Sequence, residues 1–143
     1  MTENTPSSLR VSVFAIEGAV YTRDNIPLRI VFESTGEGGI RLLRHFEPLP
    51  VFFAFRIVRE DGTPIGIPGA GKIDFREGSI RYLVLNSRET FGILVDLAEI
   101  IPSPEDVTEG DYEISVTYHN QYGEDCFRGK IGSDPINVKI AAP

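Results

Sequence analysis

Apolar residues in this chain recur at every second position far more often than at helical spacing. Period two belongs to strands, whose side chains point alternately to opposite faces. Leu9, Val11 and Val13 open the first such run, and Ile26, Leu28, Ile30 and Phe32 form the second. Thr35-Gly36-Glu37-Gly38-Gly39 then breaks the pattern with glycines suited to tight turns. Ile40 and Leu42 begin a short third strand that ends by Pro48 and Pro50, and Val51, Phe53, Phe55 and Ile57 make a fourth, closed by the hairpin signal Asp61-Gly62. Residues 63–72 hold Pro64, Gly66, Pro68, Gly69 and Gly71, too many for a central strand or a helix, and predict a surface loop.

Beyond that loop, Ile73 and Phe75, then Ile80, Tyr82 and Val84, predict two short strands around Glu77-Gly78. Phe91, Ile93, Val95 and Leu97 predict another. Residues 98–110 read as a long crossover with one helical turn near Ser103–Asp106. Tyr112, Ile114, Val116 and Tyr118 give the cleanest alternation, and Phe127, Ile131, Ile136, Val138 and Ile140 close the chain. The expected fold is all-β, an antiparallel immunoglobulin-like sandwich of eight or nine strands. It forms a single domain over residues 9–143, preceded by a flexible segment at residues 1–8.

One local feature sharpens this expectation. Tyr112 follows a turn and enters the strand of strongest alternation, the setting of a tyrosine corner, in which the ring is buried and the hydroxyl bonds back to the preceding crossover. The tryptophan and disulfide pair of antibody-type domains are missing: the chain has no Trp and a single cysteine, Cys126. A lone cysteine forms no intrachain disulfide and fits a reducing compartment. The polar start Met1–Ser8 has neither the basic beginning nor the apolar stretch of a secretory signal, and Met1 is retained, which together point to the cytoplasm unless such a segment has been removed.

Charge narrows the partners. A net charge of −7 argues against nucleic acid or an anionic membrane surface, both of which require a basic face. Eleven of the fourteen basic residues are nevertheless arginine, including Arg29, Arg41, Arg56, Arg59 and Arg81 near predicted strands. They suit either planar recognition of carboxylate or phosphate, or pairing across strands with Glu and Asp. The longest uninterrupted apolar run, Val51–Phe55, is five residues, far short of a membrane-spanning helix.

Three stretches resemble a diffuse group of bacterial immunoglobulin-like domains. Ile40-Arg41-Leu42-Leu43-Arg44-His45-Phe46-Glu47-Pro48-Leu49, with Phe53-Ala54-Phe55 and the Asp61-Gly62 turn, is similar to part of the non-catalytic N-terminal domain of deuterolysin-like peptidyl-lysine metalloendopeptidases. Leu85-Asn86-Ser87-Arg88-Glu89-Thr90-Phe91 through Val95-Asp96-Leu97, then Gly110-Asp111-Tyr112, resembles the turn, strand and crossover leading to the tyrosine strand of such domains. Phe127-Arg128-Gly129-Lys130-Ile131-Gly132-Ser133 and Ile136 resemble their closing strands. Related sandwiches include intracellular proteinase-inhibitor-like domains. The protease activity of the metalloendopeptidases resides in a separate zinc domain, and this chain has no His-Glu-x-x-His, so the resemblance implies no protease here.

Candidate chemistry is sparse. His45, His119 and Cys126 are the entire supply of imidazole and thiol. His119 and Cys126 could meet across the turn Asn120–Asp125, with Glu124 or Asp125 adding oxygens to a metal site, or serve as a Cys–His hydrolase pair. The neighbouring carboxylates would raise the thiol pKa, the wrong direction for a nucleophile. Glu105, Asp106, Glu109 and Asp111 could gather calcium, but lack the Asp-x-Asp-x-Asp-Gly order of a calcium loop. Gly66–Lys72 has glycines and a lysine without the Walker spacing or a following helix.

No cofactor, metal or catalytic residue is assigned on this basis, and the protein is read as a non-enzymatic binding or accessory module whose partner is another protein. The candidate contact residues are Phe46, Leu49, Phe52, Ile67 and Tyr122. If Phe53 and Phe55 face inward, alternation turns Phe52 outward; the alternative is that a bulge or a second layer covers it. A proteinase inhibitor acting through loop 63–72 is the second reading, and a cryptic metal or thiol hydrolase at His119 and Cys126 the third.

Overall fold

The computed structural model describes residues 8–69, 71–76 and 78–142. The alternation of the first two runs becomes β1 (Leu9–Ala15) and β2 (Pro27–Ser34), paired antiparallel with Val13 opposite Ile30. β2 also pairs with β7 (Thr90–Asp96), so the order of this three-stranded sheet is β1-β2-β7. Leu9, Val11 and Val13 with Leu28, Ile30 and Phe32 are buried on one face. On the other, Phe14, Arg29 and Leu94 form one cross-strand row, in which Phe14 and Leu94 are 50% and 68% exposed.

A larger sheet is built around β8 (Gly110–Asn120). β4 (Phe53–Arg59) lies along one side of it, and β5, only Pro64–Ile65, continues beyond β4. Along the other side β8 pairs with β10 (Ile136–Ile140) through its first half and β9 (Gly129–Gly132) through its last residues. Between β9 and β10 the chain steps out at Ser133, whose amide donates to Val116 O at 2.8 Å while its hydroxyl accepts from Val116 N at 3.0 Å. A third sheet has two strands, β3 (Ile40–Leu43) and β6 (Tyr82–Leu85). The fold is all-β and antiparallel, with ten strands in three sheets among the described residues rather than eight or nine.

The buried faces meet in one cluster. Phe32 of β2 lies edge-on to Tyr118 of β8, centroids 5.0 Å apart, and near Phe53 of β4 at 6.2 Å. Phe46, from the segment after β3, stacks on Phe53 and Phe91 and tilts onto Phe32. Such ring pairs add about 0.5–1.5 kcal/mol each beyond simple burial.

Several expectations are corrected. Val51 does not begin β4: Leu49–Phe52 form a single helical turn after the cis Glu47–Pro48 peptide, and strand alternation starts only at Phe53. Phe52 therefore does not face outward; it is fully buried, with its ring edge-on to Tyr122. The strand expected at Ile73 and Phe75 is absent, because their anchors are individual contacts rather than a ladder. Ile73 N donates to the Tyr122 hydroxyl at 2.9 Å, and the Phe75 ring packs on Tyr122 and His45. In β6 the inward set is Leu83 and Leu85 rather than Tyr82 and Val84, since the register sets Val84, 61% exposed, opposite Arg41. Loop 63–72 is not wholly a surface loop: Ile65 pairs with Ile57 and is buried, while Ala70 lies outside the described residues. Residues 1–7 of the expected flexible segment, and Glu77, also lie outside them.

Other expectations hold. Asp61-Gly62 closes the β4–β5 hairpin, with Gly62 at φ +90° and Thr63 N donating to Asp61 Oδ1. The helical turn of the crossover is Pro104–Asp106. Tyr112 is buried, and its hydroxyl donates to Thr108 O and accepts from Thr108 N, both at 2.9 Å. Tyr118 is its opposite: equally buried, its hydroxyl lacks a hydrogen-bond partner among the described residues, and burial first, then Cys126, pushes its pKa upward.

This contrast gives a paired prediction. Tyr112→Phe strands the Thr108 amide and should cost about 1–3 kcal/mol, whereas Tyr118→Phe removes an unmet hydroxyl and should be neutral or stabilising. Urea unfolding of both variants reads the difference; equal losses would contradict it.

Candidate functional site

A cleft of about 590 Å³ runs beside β7. One wall is Ile93, Leu94, Val95 and Asp96 at the end of that strand, with Glu99 just past it; the other is the segment Arg44–Leu49. That segment is tied to Arg81, just before β6, at its start. Arg44 N donates to Arg81 O at 2.8 Å, and Arg81 N donates to His45 Nε2 at 2.9 Å. Phe46 turns into the core, and the helical turn carries Leu49 back to the rim. On the facing wall, Asp96 Oδ1 accepts from Ile26 N and Ala98 N, at 2.8 and 3.0 Å, and so fixes where β7 stops.

The His45 pKa is lowered, chiefly by burial and then by the charge of Arg81, against a smaller opposing effect of a hydrogen bond with the Ser79 backbone. A nitrogen that accepts is unprotonated, so the bond from Arg81 exists only with the neutral ring.

A second polar centre sits where β8 turns toward β9. Asn120 is buried, and its amide donates to Tyr122 O and Phe127 O and accepts from Tyr122 N, at 2.9, 3.0 and 3.0 Å. One side chain thereby folds the loop 121–127. Gly123 is required there: it has φ +86°, and a Cβ would lie 2.9 Å from Cys126 Sγ. Tyr82 closes the outside, its hydroxyl accepting from Glu124 N and its ring lying under the Arg41 guanidinium at 3.8 Å.

Of the five residues expected to contact a partner, Phe46 and Leu49 line the cleft. Phe52 is buried, Ile67 is half-buried against the core, and Tyr122 is half-buried between Phe52 and Phe75. The structure does not gather the five into one surface. It adds Leu94, Asp96, Glu99, Arg44 and His45, which the strand pattern passed over. Leu94 carried a signal, being a large apolar residue on the outward side of an alternating strand.

His119 and Cys126 do not converge. His119 points to the face of β8 opposite Tyr118 and Asn120, and it is the Asn120 amide that meets the Cys126 sulfur, at 4.0 Å. The thiol donates to Tyr122 O at 3.4 Å, and burial raises its pKa; Arg128 and Arg41 pull it down, and Asp125 adds to the rise. Among the described residues no three of His, Cys, Asp and Glu are grouped to hold a metal ion, the acidic stretch Glu105–Asp111 included. Among the described residues no helix directly follows Gly66–Lys72. The arginines divide: Arg10, Arg56 and Arg59 form exposed or loose ion pairs with Glu33, Glu113 and Asp61, while Arg29 lays its stem over Gly92.

Neither a protein-family model nor a curated protein matches the chain. Of the likeness drawn from sequence, the all-β antiparallel architecture stands.

The state of His45 yields a pH prediction. Its folded pKa lies below the ordinary 6.5, so its contribution is complete above that value. As pH falls, the unfolded chain takes up the proton first, and stability declines until the folded form is protonated too. Urea midpoints should fall from pH 7.5 to 5.5, and less steeply in His45→Gln. Parallel pH slopes would show that the Arg81 bond is immaterial.

Proposed function

We propose that the protein is a non-enzymatic binding module, of the immunoglobulin-like sandwich type, and that the cleft beside β7 is the face it presents to another protein. The observation carrying this reading is the pairing of an open cleft with a large apolar residue left in water at its edge: Leu94 is 68% exposed, opposite Leu49 and Phe46. Burying a leucine contributes roughly 1.5–3 kcal/mol, a typical share for an interface anchor. The separation of His119 from Cys126 and the raised thiol pKa favour binding over hydrolysis. The buried Ile65 and half-buried Ile67 tie down the start of loop 63–72, which weakens the inhibitor reading. A single cysteine is in keeping with a reducing, cytoplasmic setting.

Calorimetric titration with the product of the adjacent gene, and with proteins that co-purify, tests the proposal. A bound partner should lose about tenfold or more in affinity to Leu94→Asp and Leu49→Asp, each of which removes an anchor. Affinity unchanged by both substitutions would place the binding face elsewhere.

A further inference from the structure

The edge of β7 has a defined hydrogen-bonding parity. Ser34 N donates to Glu89 O and Leu97 N to Ile26 O, each at 3.0 Å, at the two ends of the β2–β7 ladder. Both follow the register that sets Leu28, Ile30 and Phe32 opposite Val95, Ile93 and Phe91, so those pairs exchange the ladder bonds. Across β2, Thr35 N donates to Ser8 O, which assigns the odd-numbered residues of β2 to β1. In β7, therefore, Phe91, Ile93 and Val95 spend their backbone groups on β2, and Thr90, Gly92, Leu94 and Asp96 turn theirs away. Among the described residues no strand pairs with that side.

Natural sheet edges are usually guarded by proline, lysine, a bulge or shortness. β5 is two residues long and begins with Pro64, β10 carries Lys139 and β1 carries Arg10. The outward positions of β7 hold neither proline nor a basic residue, and Gly92 has no side chain of its own beside the edge. The cleft lies along this edge. Its charged lining is three carboxylates, Glu47, Asp96 and Glu99, against the single guanidinium of Arg44, with His45 held neutral by the amide it accepts.

Building on the binding-module reading, we infer that β7 accepts an extended, basic segment of another protein as an added strand, with its backbone on Gly92 and Leu94 and its cations toward the carboxylates. A second copy of this chain fits less well, because two such clefts would bring like charges together.

The probe is the capped peptide acetyl-Val-Lys-Val-Lys-Val-Lys-amide, compared with its glutamate counterpart, against uniformly labelled full-length protein. The lysine peptide should slow hydrogen exchange at the Gly92 and Leu94 amides by about tenfold or more, the worth of one backbone bond, with no such effect from the glutamate peptide. Leu94→Pro should weaken binding about tenfold while leaving the urea midpoint near wild type, because proline is tolerated where an edge amide faces solvent. Ile93→Pro should unfold the sheet. Should Leu94→Pro not fold, Gly92→Pro and the exchange data on the unaltered protein make the same test. Equal binding of both peptides, or no protection at either amide, overturns the inference. Changes confined to the side chains of Phe46 and Leu49 would overturn strand addition yet keep the cleft as a binding face, whereas no response anywhere counts against both. A dimer without peptide that Leu94→Pro dissolves would give the edge to a second copy and likewise overturn the inference.

Discussion

The contact between Phe32 and Tyr118 holds the rest of the fold in place. Each ring sits on the central strand of its own sheet, and each is fully buried. Burying a ring of this size stabilises the fold by roughly 4–6 kcal/mol on area alone. That exceeds the cost, about 1–3 kcal/mol, of burying the Tyr118 hydroxyl unpaired, so packing decides and the hydroxyl is carried along. The wall of the cleft inherits its rigidity from this joint. Phe46 tilts onto Phe32 and stacks on Phe53 and on Phe91 of β7, so the segment from Arg44 to Leu49 is anchored on core rings from three strands.

Around that joint, polar side chains do what a disulfide does in secreted domains of this size. Tyr112 pins the long crossover to β8. Tyr21, also buried, accepts from Ile16 N and donates to Pro27 O, closing the loop between β1 and β2, and its own carbonyl accepts from Ala141 N at the chain's far end. Asn120 folds the loop that carries Cys126, and Asp96 joins the ends of β2 and β7. Each tie satisfies backbone groups that burial or irregular structure would otherwise leave without partners.

Strands that face one hydrophobic core and solvent were readable from alternation alone. β1, β2, β7 and β8 fall where the pattern put them, and Tyr112 behaves as its position after the turn implied. The pattern misled where tertiary contacts outweighed it. Phe52 looked like a strand residue because it stands among Val51, Phe53 and Phe55, yet Pro48 and Pro50 curl the chain into a turn that buries it. Val84 looked buried, but the pairing of β6 with β3 decides which face is inner, and no local pattern encodes a partner. The cleft was half legible. Phe46 and Leu49 stood out as aromatic and aliphatic residues near a break, whereas Leu94, Asp96 and Glu99 matter because of what lies across from them, which is a property of three dimensions.

The carboxylate of Asp96 has a consequence for dimensions. By accepting from Ile26 N and Ala98 N through one oxygen, it ends the extended conformation and starts the 3-10 turn Leu97–Glu99. Thr90 to Asp96 spans about 20 Å at the rise of a strand, so the protein carries a ruler with one end nailed down. Insertions or deletions in the crossover beyond Glu99 leave its length alone, whereas removal of that one carboxylate would let the sheet fray from the end where Leu94 stands.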